Sequence, residues 1–334
     1  MYKHLGSTDI SIYPLGIGGI PIQRVSFEDA REVIAHAKGL GINFIDSAQG
    51  YSDSEAKIGF AIDSHKNYWK LASKSPARDK KGMEEAVTNS LKKFNRDYMD
   101  LYQLHLISSM EELDTVLGPN GAMETLHRYK EQGFIKHIGI TGHKPEVLIK
   151  ALDIYPFATV QVPFNPLETQ SIELLEYAKS KGVGTIIMKP LAGGALTSPT
   201  ACIKYILNQP FVDTVIPGME SIEQVQQNFE ASQNSSLCVD EQEAIDKDIR
   251  ELKNNFCRRC EYCQPCPQGI KIHSVFTLHG YYSRYGLKDW SIPRYQGLPV
   301  LADICTECGI CETKCPYELP IRDMLKVAHK DFSG

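Results

Sequence analysis

Short apolar runs alternate with longer amphipathic segments from the N-terminus to about residue 232. Each run is long enough for a strand, and most end in a polar residue, Gly or Pro. The segments between them carry apolar residues at helical spacing, and several begin at Ser or Lys-Pro and end at Gly, as helices do. The predicted strands are LGIGGIPI, NFIDSA, YWKLASKS, MDLYQLH, IKHIGITG, TVQVPFN, GTIIMKP and VDTVIPG.

This alternation predicts an α/β fold in which a parallel sheet closes into a (β/α)8 TIM barrel with its helices outside. An open doubly wound sheet is the alternative, but no G-x-G-x-x-G follows the first strand at a helix start. We assign the barrel to residues 1–235 and a connecting helix to residues 236–256. The cysteine-rich remainder, residues 257–334, forms a second, smaller domain.

Composition excludes several classes of partner. The 334 residues carry a formal net charge of -5 and no block of like charges, so we expect neither nucleic acid nor a membrane surface as a partner. No apolar run reaches the ~18 residues that a membrane helix needs, and the N-terminus does not resemble a signal peptide. We therefore expect a cytoplasmic protein with small-molecule or protein partners.

The residues at the ends of the predicted strands carry the candidate chemistry, because barrel active sites lie at the carboxyl ends of the strands. FIDSAQGY, ASKS and LYQLH bring Asp46, Tyr51, Lys74 and His105 to this end. A phenol has an ordinary pKa near 10, and a neighbouring cation such as Lys74 favours its ionised form. A carboxylate would hold the lysine, and an imidazole could direct a carbonyl oxygen toward the phenol. Tyr51 is then the general acid for a carbonyl that receives hydride.

GINFIDSAQGY, LASKSP and MDLYQLH resemble the three signature segments of the aldo-keto reductase superfamily. The resemblance implies a catalytic tetrad: Tyr51 donates the proton, Lys74 lowers its pKa, Asp46 pairs with Lys74, and His105 orients the carbonyl. It also implies a nicotinamide cofactor, NAD(P)H, held by residues after the later strands. Two of these are Gln161, which matches the residue holding the carboxamide, and Thr141, which stands where a serine is usual.

Other positions in the implied cofactor site depart from the family pattern. Gly142 replaces an asparagine, and Met188, followed by Lys189, replaces the aromatic residue that stacks on the nicotinamide ring. In IPGMESIEQVQQN the segment that grips the adenosine end keeps Ser221 and Asn228. The same segment has Gly218 and Gln224 where basic residues often sit.

Glu220 lies in that segment and could accept a hydrogen bond from a free ribose 2′-hydroxyl. We therefore expect NADH to be preferred over NADPH.

Eight of the ten cysteines lie in two compact runs near the C-terminus. The run CTECGICETKCP has the C-x2-C-x2-C-x3-C-P spacing of bacterial [4Fe-4S] ferredoxins, and CRRCEYCQPCP has one residue fewer before its last cysteine. Zinc is the competing interpretation, but four-cysteine zinc sites usually use two separated C-x2-C pairs. The predicted metal ligands are Cys257, Cys260, Cys263, Cys266, Cys305, Cys308, Cys311 and Cys315.

By analogy with two-cluster ferredoxins, a helical ferredoxin-like domain would hold two [4Fe-4S] clusters with crossed ligands. Cys257, Cys260, Cys263 and Cys315 would hold one cluster. Cys305, Cys308, Cys311 and Cys266 would hold the other. The whole chain then resembles the aldo-keto reductase subgroup that carries a ferredoxin domain.

The predicted function is an oxidoreductase for a carbonyl or alcohol substrate, coupled through the clusters to a ferredoxin-like redox partner. The alternative is an electron-transfer or redox-sensing protein whose barrel binds the nucleotide without turnover. Nicotinamide delivers two electrons together, whereas each cluster passes one. A flavin or another converter, a radical intermediate, and a structural or sensing role for the clusters remain open.

Overall fold

The structure, a computed structural model, describes all 334 residues and contains an eight-stranded parallel sheet with neighbouring strands in chain order. An antiparallel hairpin of β1 (Lys3–His4) and β2 (Ser11–Ile12) precedes this sheet. The sheet strands are β3 (Ile17–Gly18), β4 (Phe44–Asp46), β5 (Lys70–Ser75), β6 (Met99–Leu104), β7 (Ile135–Thr141), β8 (Thr159–Pro163), β9 (Gly184–Met188) and β10 (Thr214–Val215).

All eight predicted strands are confirmed, and the sheet closes. Parallel bridges join Leu15 to Val215 and Gly18 to Gly218, so the last strand meets the first. Closure leaves no exposed sheet edge and gives the predicted (β/α)8 barrel.

Helices connect successive strands on the outside of the barrel. Ser26 starts the first helix through a capping box with Asp29, and Asn95 ends the third in the left-handed conformation. The helices are α1 (Phe27–Gly39), α2 (Ser54–Ile62), α3 (Lys80–Phe94), α4 (Met110–Leu117), α5 (Ala122–Glu131), α6 (Pro145–Ile154), α7 (Ile172–Ser180), α8 (Pro199–Leu207) and α9 (Ile222–Gln233). Because α4 and α5 both follow β6, one connection is longer than the others.

The interior of the barrel changes from apolar to polar along its axis. The β1–β2 hairpin contributes Leu5, Ile10 and Ile12, which pack with Phe44 and Leu101 into a small buried cluster. This hairpin was not predicted from the sequence. These side chains fill the amino-terminal end of the barrel. The buried polar residues of β4, β5, β6 and β8 lie toward the carboxyl ends of the strands.

The chain divides into two compact units by its internal contacts. The first comprises Met1–Pro190 and Pro199–Glu241, and the second comprises Leu191–Ser198 and Gln242–Gly334. After α10 (Val239–Leu252), the second unit contains α11 (Ile272–Ser283), α12 (Lys288–Gln296), the short α13 (Ile310–Thr313) and α14 (Ile321–Ser333). It is helical, as predicted for the cysteine-rich region.

The second unit has its own hydrophobic core, to which α11 and α14 contribute Val275, Leu325 and Phe332. Phe332 stacks on Tyr295 with the ring centres 4.2 Å apart. None of the helices in either unit has the length and apolar character required to cross a membrane.

Candidate active site and cysteine-lined cavities

Asp46 and Lys74 form a buried ion pair inside the barrel. Lys74 Nζ donates to Asp46 Oδ2 and, at 2.8 Å, to the carbonyl oxygen of Ser47. The Lys74 and Asp46 side chains are 1% and 3% exposed. A buried charge must be paired to be tolerated, so the carboxylate compensates the ammonium group and fixes its position.

Tyr51 lies between β4 and α2 and contacts the same cation. Lys74 Nζ lies 5.3 Å from the centre of the Tyr51 ring. The His105 ring meets the Tyr51 ring edge-on, with the two ring centres 6.2 Å apart. The structure thus brings all four predicted tetrad residues into one group. A positive charge beside a phenol favours its ionised form and makes the phenol a stronger acid.

His105 follows β6 and is held by its backbone, whose N–H donates to the Ser75 carbonyl at 3.0 Å. Burial lowers the pKa of the His105 imidazole to about 3, and the positive charges of Lys74, Arg78 and Lys189 add to this effect. The ring is therefore neutral at pH 7. A neutral imidazole has one donor and one acceptor nitrogen, so it can donate a hydrogen bond to a carbonyl oxygen without carrying a charge.

Gln103 connects the tetrad to the predicted nicotinamide residues, and the sequence reasoning missed it. Its Nε2 donates to Asp46 Oδ1 at 3.0 Å and to Gln161 Oε1 at 2.9 Å. Gln161 Nε2 in turn donates to Asp46 Oδ2 at 3.3 Å. The strand alternation of MDLYQLH could have revealed Gln103, because residues two apart on a strand face the same side.

Thr141, the last residue of β7, pairs with Gln161 in the middle of β8. Thr141 Oγ1 accepts from the Leu106 N–H at 2.9 Å, which leaves the hydroxyl proton able to reach another acceptor. Gly142 follows, and a Cβ placed on it would lie only 2.6 Å from the Ile107 carbonyl oxygen. This close approach leaves no room for a side chain at residue 142 unless the backbone shifts.

Met188 and Lys189 lie at the end of β9. Met188 is partly buried and packs against the interior cluster of the barrel. Lys189 adopts a positive φ of 55°, and its carbonyl oxygen accepts from Asn165 Nδ2 at 2.9 Å. The positive charge of Lys189 contributes to lowering the pKa of the His105 imidazole.

The predicted adenosine end lies where the barrel closes. A Cβ on Gly218 would lie 2.6 Å from Pro21 Cγ, so a residue with a side chain cannot replace it without a shift. Ser221 caps α9 by accepting from the Gln224 N–H, and Gln224 Oε1 accepts from the Glu220 N–H at 2.8 Å. These contacts connect the loop to the first turn of the helix.

Two further groups at this end have the chemistry to recognise a nucleotide. Glu220 Oε1 lies 2.6 Å from Arg24 Nη2, and Arg24 was not predicted from the sequence. Asn228, on α9, is 5% exposed, and its buried Oδ1 has no hydrogen-bond partner in the structure. An unpaired buried acceptor is costly, and a ligand amino group could satisfy it.

The cysteines of the second unit line two separate cavities. Cys257, Cys260, Cys263 and Cys315 line one cavity, together with Arg258 and Tyr317. The other cavity is lined by Cys266, Cys305, Cys308 and Cys311, together with Arg322. Each cavity thus takes three cysteines from one run and one from the other.

Burial affects the acidity of the thiols in the first cysteine run. Burial raises the pKa of the Cys257 thiol to about 11 and that of Cys263 to about 12. Binding of iron therefore has to displace protons from these thiols.

Comparison with protein families matches residues 14–201 to the aldo/keto reductase family. The chain belongs to this family. Residues 256–320 match a second family, the 4Fe-4S dicluster domain. The protein is therefore an aldo-keto reductase-like oxidoreductase with a C-terminal iron–sulfur domain, and both an iron–sulfur cofactor and NAD(P)H follow from its families.

Relatives of known name or structure match most of this aldo-keto reductase. L-galactose dehydrogenase of Arabidopsis thaliana is 28% identical over 308 residues, which cover 75% of this chain and 95% of the relative. A putative aldo-keto reductase from Pseudomonas aeruginosa, whose structure is known, is 26% identical in sequence. Its structure matches 70% of this chain and 94% of its own chain, with a TM-score of 0.62. The structure of an aldo-keto reductase from Bacillus halodurans shares the fold, with 24% identity and a TM-score of 0.64. The match covers 74% of this chain and 95% of that protein.

Proposed function

We propose that the protein interconverts a small carbonyl compound and its alcohol, with Tyr51 as the general acid and base. The observation that carries this proposal is the position of Lys74 Nζ, 5.3 Å from the centre of the Tyr51 ring. In the reducing direction Tyr51 gives its proton to the carbonyl oxygen, and Lys74 stabilises the phenolate that remains. Asp46 pairs with the lysine and holds it in position.

Neutral His105 completes the substrate site in this proposal. A donor nitrogen of its imidazole would bind the carbonyl oxygen next to the Tyr51 hydroxyl. Because the pKa of His105 lies near 3, the ring does not compete with Tyr51 as a proton donor at pH 7. The two residues thus have separate roles, positioning and proton transfer.

A bound nicotinamide would supply hydride to the carbonyl carbon, and this chain has residues suited to hold it. Thr141 and Gln161 would bind the carboxamide, and Met188 and Lys189 would contact the ring side of the cofactor. The adenosine end would use Gly218, Glu220, Ser221, Gln224 and Asn228. The unpaired Oδ1 of Asn228 supports this placement, and Glu220 supports a preference for NADH.

Two [4Fe-4S] clusters would supply one-electron transfer. The separate cysteine-lined cavities support crossed ligation, with Cys315 joining the first run and Cys266 joining the second. A ferredoxin-like carrier is the proposed partner, and a flavin is one means of dividing an electron pair between the two systems. Thiols must stay reduced to bind iron, and the cytoplasm keeps them reduced, so a cytoplasmic location is part of this proposal.

A redox-sensing protein that binds the nucleotide without turnover is the second candidate. The observation that favours it is the network of Gln161, whose amide oxygen and nitrogen already contact Gln103 and Asp46. Gly142 adds to this, because it offers no side chain to the carboxamide.

The experiment that tests the proposed coupling starts with protein purified without oxygen. NADH is added in the absence of any carbonyl compound, and the broad iron–sulfur absorption near ~400 nm is followed. Loss of this absorption is expected if nicotinamide electrons reach the clusters. Unchanged absorption, at NADH concentrations shown by dialysis to saturate the protein, would refute the coupling.

A further inference from the structure

Gln103 lies in the barrel interior beside the Asp46–Lys74 ion pair. Its position on β6 is opposite Lys74 of β5, and its side chain is fully buried. On the other side it lies opposite Gly139 of β7, where a Cβ would lie 3.0 Å from Gln103 Cγ. The stem of the side chain therefore packs closely against the backbone of β7, which limits the positions open to the amide group.

We propose that Gln103 is a positioning residue for proton transfer: it holds the Asp46 carboxylate, which in turn holds Lys74. This inference rests on the proposed role of Tyr51 as general acid and base. Gln103 acts on the Tyr51 phenol through the ion pair and gives no proton itself.

The donors and acceptors around Asp46 allow one arrangement of the two glutamine amides. An ionised carboxylate can only accept hydrogen bonds, so the NH2 group of Gln103 faces Asp46 Oδ1, at 3.0 Å. The second N–H of that group donates to Gln161 Oε1 at 2.9 Å. Gln161 Nε2 then faces Asp46 Oδ2, at 3.3 Å. The carboxylate thus sets the orientation of both amides, and both amides hold the carboxylate.

The two oxygens of Asp46 have different donors. Lys74 Nζ and Gln161 Nε2 donate to Oδ2, whereas Gln103 Nε2 donates to Oδ1. Without Gln103, Oδ1 would be a buried charged acceptor that lacks a partner, which is costly. Lys74 Nζ has three N–H groups and can supply the missing bond by turning toward Oδ1. That movement changes the position of the cation relative to the Tyr51 ring, whose centre is 5.3 Å away.

Loss of the Gln103 donor should make the Tyr51 phenol a weaker acid for two reasons. The cation that favours the phenolate is drawn toward Asp46 Oδ1, and the Gln103 N–H dipole no longer offsets the negative charge of Asp46. Both changes disfavour the ionised phenol. A neighbouring cation lowers the pKa of an acid by about 1–3 pH units, and loss of Gln103 removes part of that effect. We therefore expect Tyr51 to become about three- to tenfold weaker as an acid.

The measurement is the pH titration of Tyr51 in the full chain with its iron bound, by carbon-13 NMR of protein labelled at the tyrosine Cζ. Tyr51→Phe identifies the Tyr51 signal among those of the 16 tyrosines. This titration requires neither a substrate nor a nucleotide. Gln103→Met keeps the length of the side chain and removes both donors, so its Tyr51 should ionise about 0.5–1 pH unit above that of wild type.

Thr159→Val is the matched control. Thr159 lies opposite Gly139 on the same face of the sheet, is fully buried, and its Oγ1 has no hydrogen-bond partner in the structure. Valine replaces the hydroxyl with a methyl group, so a buried polar group is lost and no hydrogen bond is broken. The Tyr51 titration should stay within about 0.2 pH unit of wild type. Circular dichroism of each variant checks that the barrel is folded.

The outcomes separate this inference from the proposed function. Asp46→Asn/Lys74→Met removes the whole ion pair and should raise the pH of Tyr51 ionisation at least as much as Gln103→Met does. If this double variant titrates like wild type, the proposed role of Lys74 is overturned and this inference with it.

A shift in the double variant with an unchanged titration in Gln103→Met would overturn the positioning role alone, since Gln103 would then serve only the packing of the barrel. A shift of equal size in Thr159→Val would also overturn it, because the loss of any buried polar group would then suffice.

Discussion

The Asp46–Lys74 pair should contribute strongly to the stability of the barrel as well as to its chemistry. Asp46→Asn preserves the shape of the side chain but removes its charge, and it leaves the Lys74 ammonium group, 1% exposed, without a counter-ion. Removal of one partner of a buried ion pair costs about 3–5 kcal/mol. We expect the free energy of unfolding to fall by this amount at pH 7.

The assay is urea unfolding followed by tryptophan fluorescence. The chain has two tryptophans, and Trp69, 1% exposed, lies in the core of the barrel. A Trp290→Phe background therefore reports the unfolding of the barrel alone. Equal slopes of the free energy against urea concentration would show that the variants unfold to the same extent.

Two further variants give this prediction its controls. Asp46→Asn/Lys74→Met removes the stranded charge and should recover most of the lost stability, to within about 1 kcal/mol of wild type. Glu85→Gln breaks an exposed pair with Lys81, whose charged atoms are 3.9 Å apart, and should cost less than about 0.5 kcal/mol. An Asp46→Asn variant as stable as Glu85→Gln, or a double variant no more stable than Asp46→Asn, would refute the argument.

Two other predictions concern metal ligation and barrel closure. Under crossed ligation, Cys257→Ala/Cys315→Ala removes two ligands of the same cluster, so this variant should retain about half of the iron. Cys305→Ala/Cys315→Ala removes one ligand from each cluster and should lose nearly all of the iron. Iron analysis that gives the opposite order would show that each run holds its own cluster. Gly218→Ala should cost about 1–3 kcal/mol in the urea assay, because the new methyl group meets Pro21. Gly39→Ala, where a Cβ meets nothing within 4 Å, is its control, and equal stability of the two variants would contradict the close approach.

The sequence was most informative where local pattern and barrel geometry agree. Parallel strands place their carboxyl ends at one end of a barrel, so residues in or just after the last turns of three successive strands had to approach one another. The grouping of Tyr51, Lys74 and His105 in the structure follows from this rule.

Contacts between distant segments were harder to predict. Arg24 pairs with a residue 196 positions away, and nothing near it in the sequence marks it as part of a site. Gln103 was overlooked because its polar side chain lies within an otherwise apolar run and acts only through Asp46 and Gln161. The β1–β2 hairpin was missed because each strand has only two residues, too few to show a period.

The measurement that tests the central claim most directly is the rate of NADH oxidation by Tyr51→Phe with a panel of small aldehydes and ketones. Loss of the general acid should reduce the rate by about 10²–10⁴-fold, while iron content and NAD⁺ affinity stay at wild-type values. Tyr68→Phe, which removes the hydroxyl of a tyrosine that precedes β5, should keep the wild-type rate. The account would be contradicted if Tyr51→Phe oxidised NADH as fast as wild type with every substrate that the wild-type protein accepts.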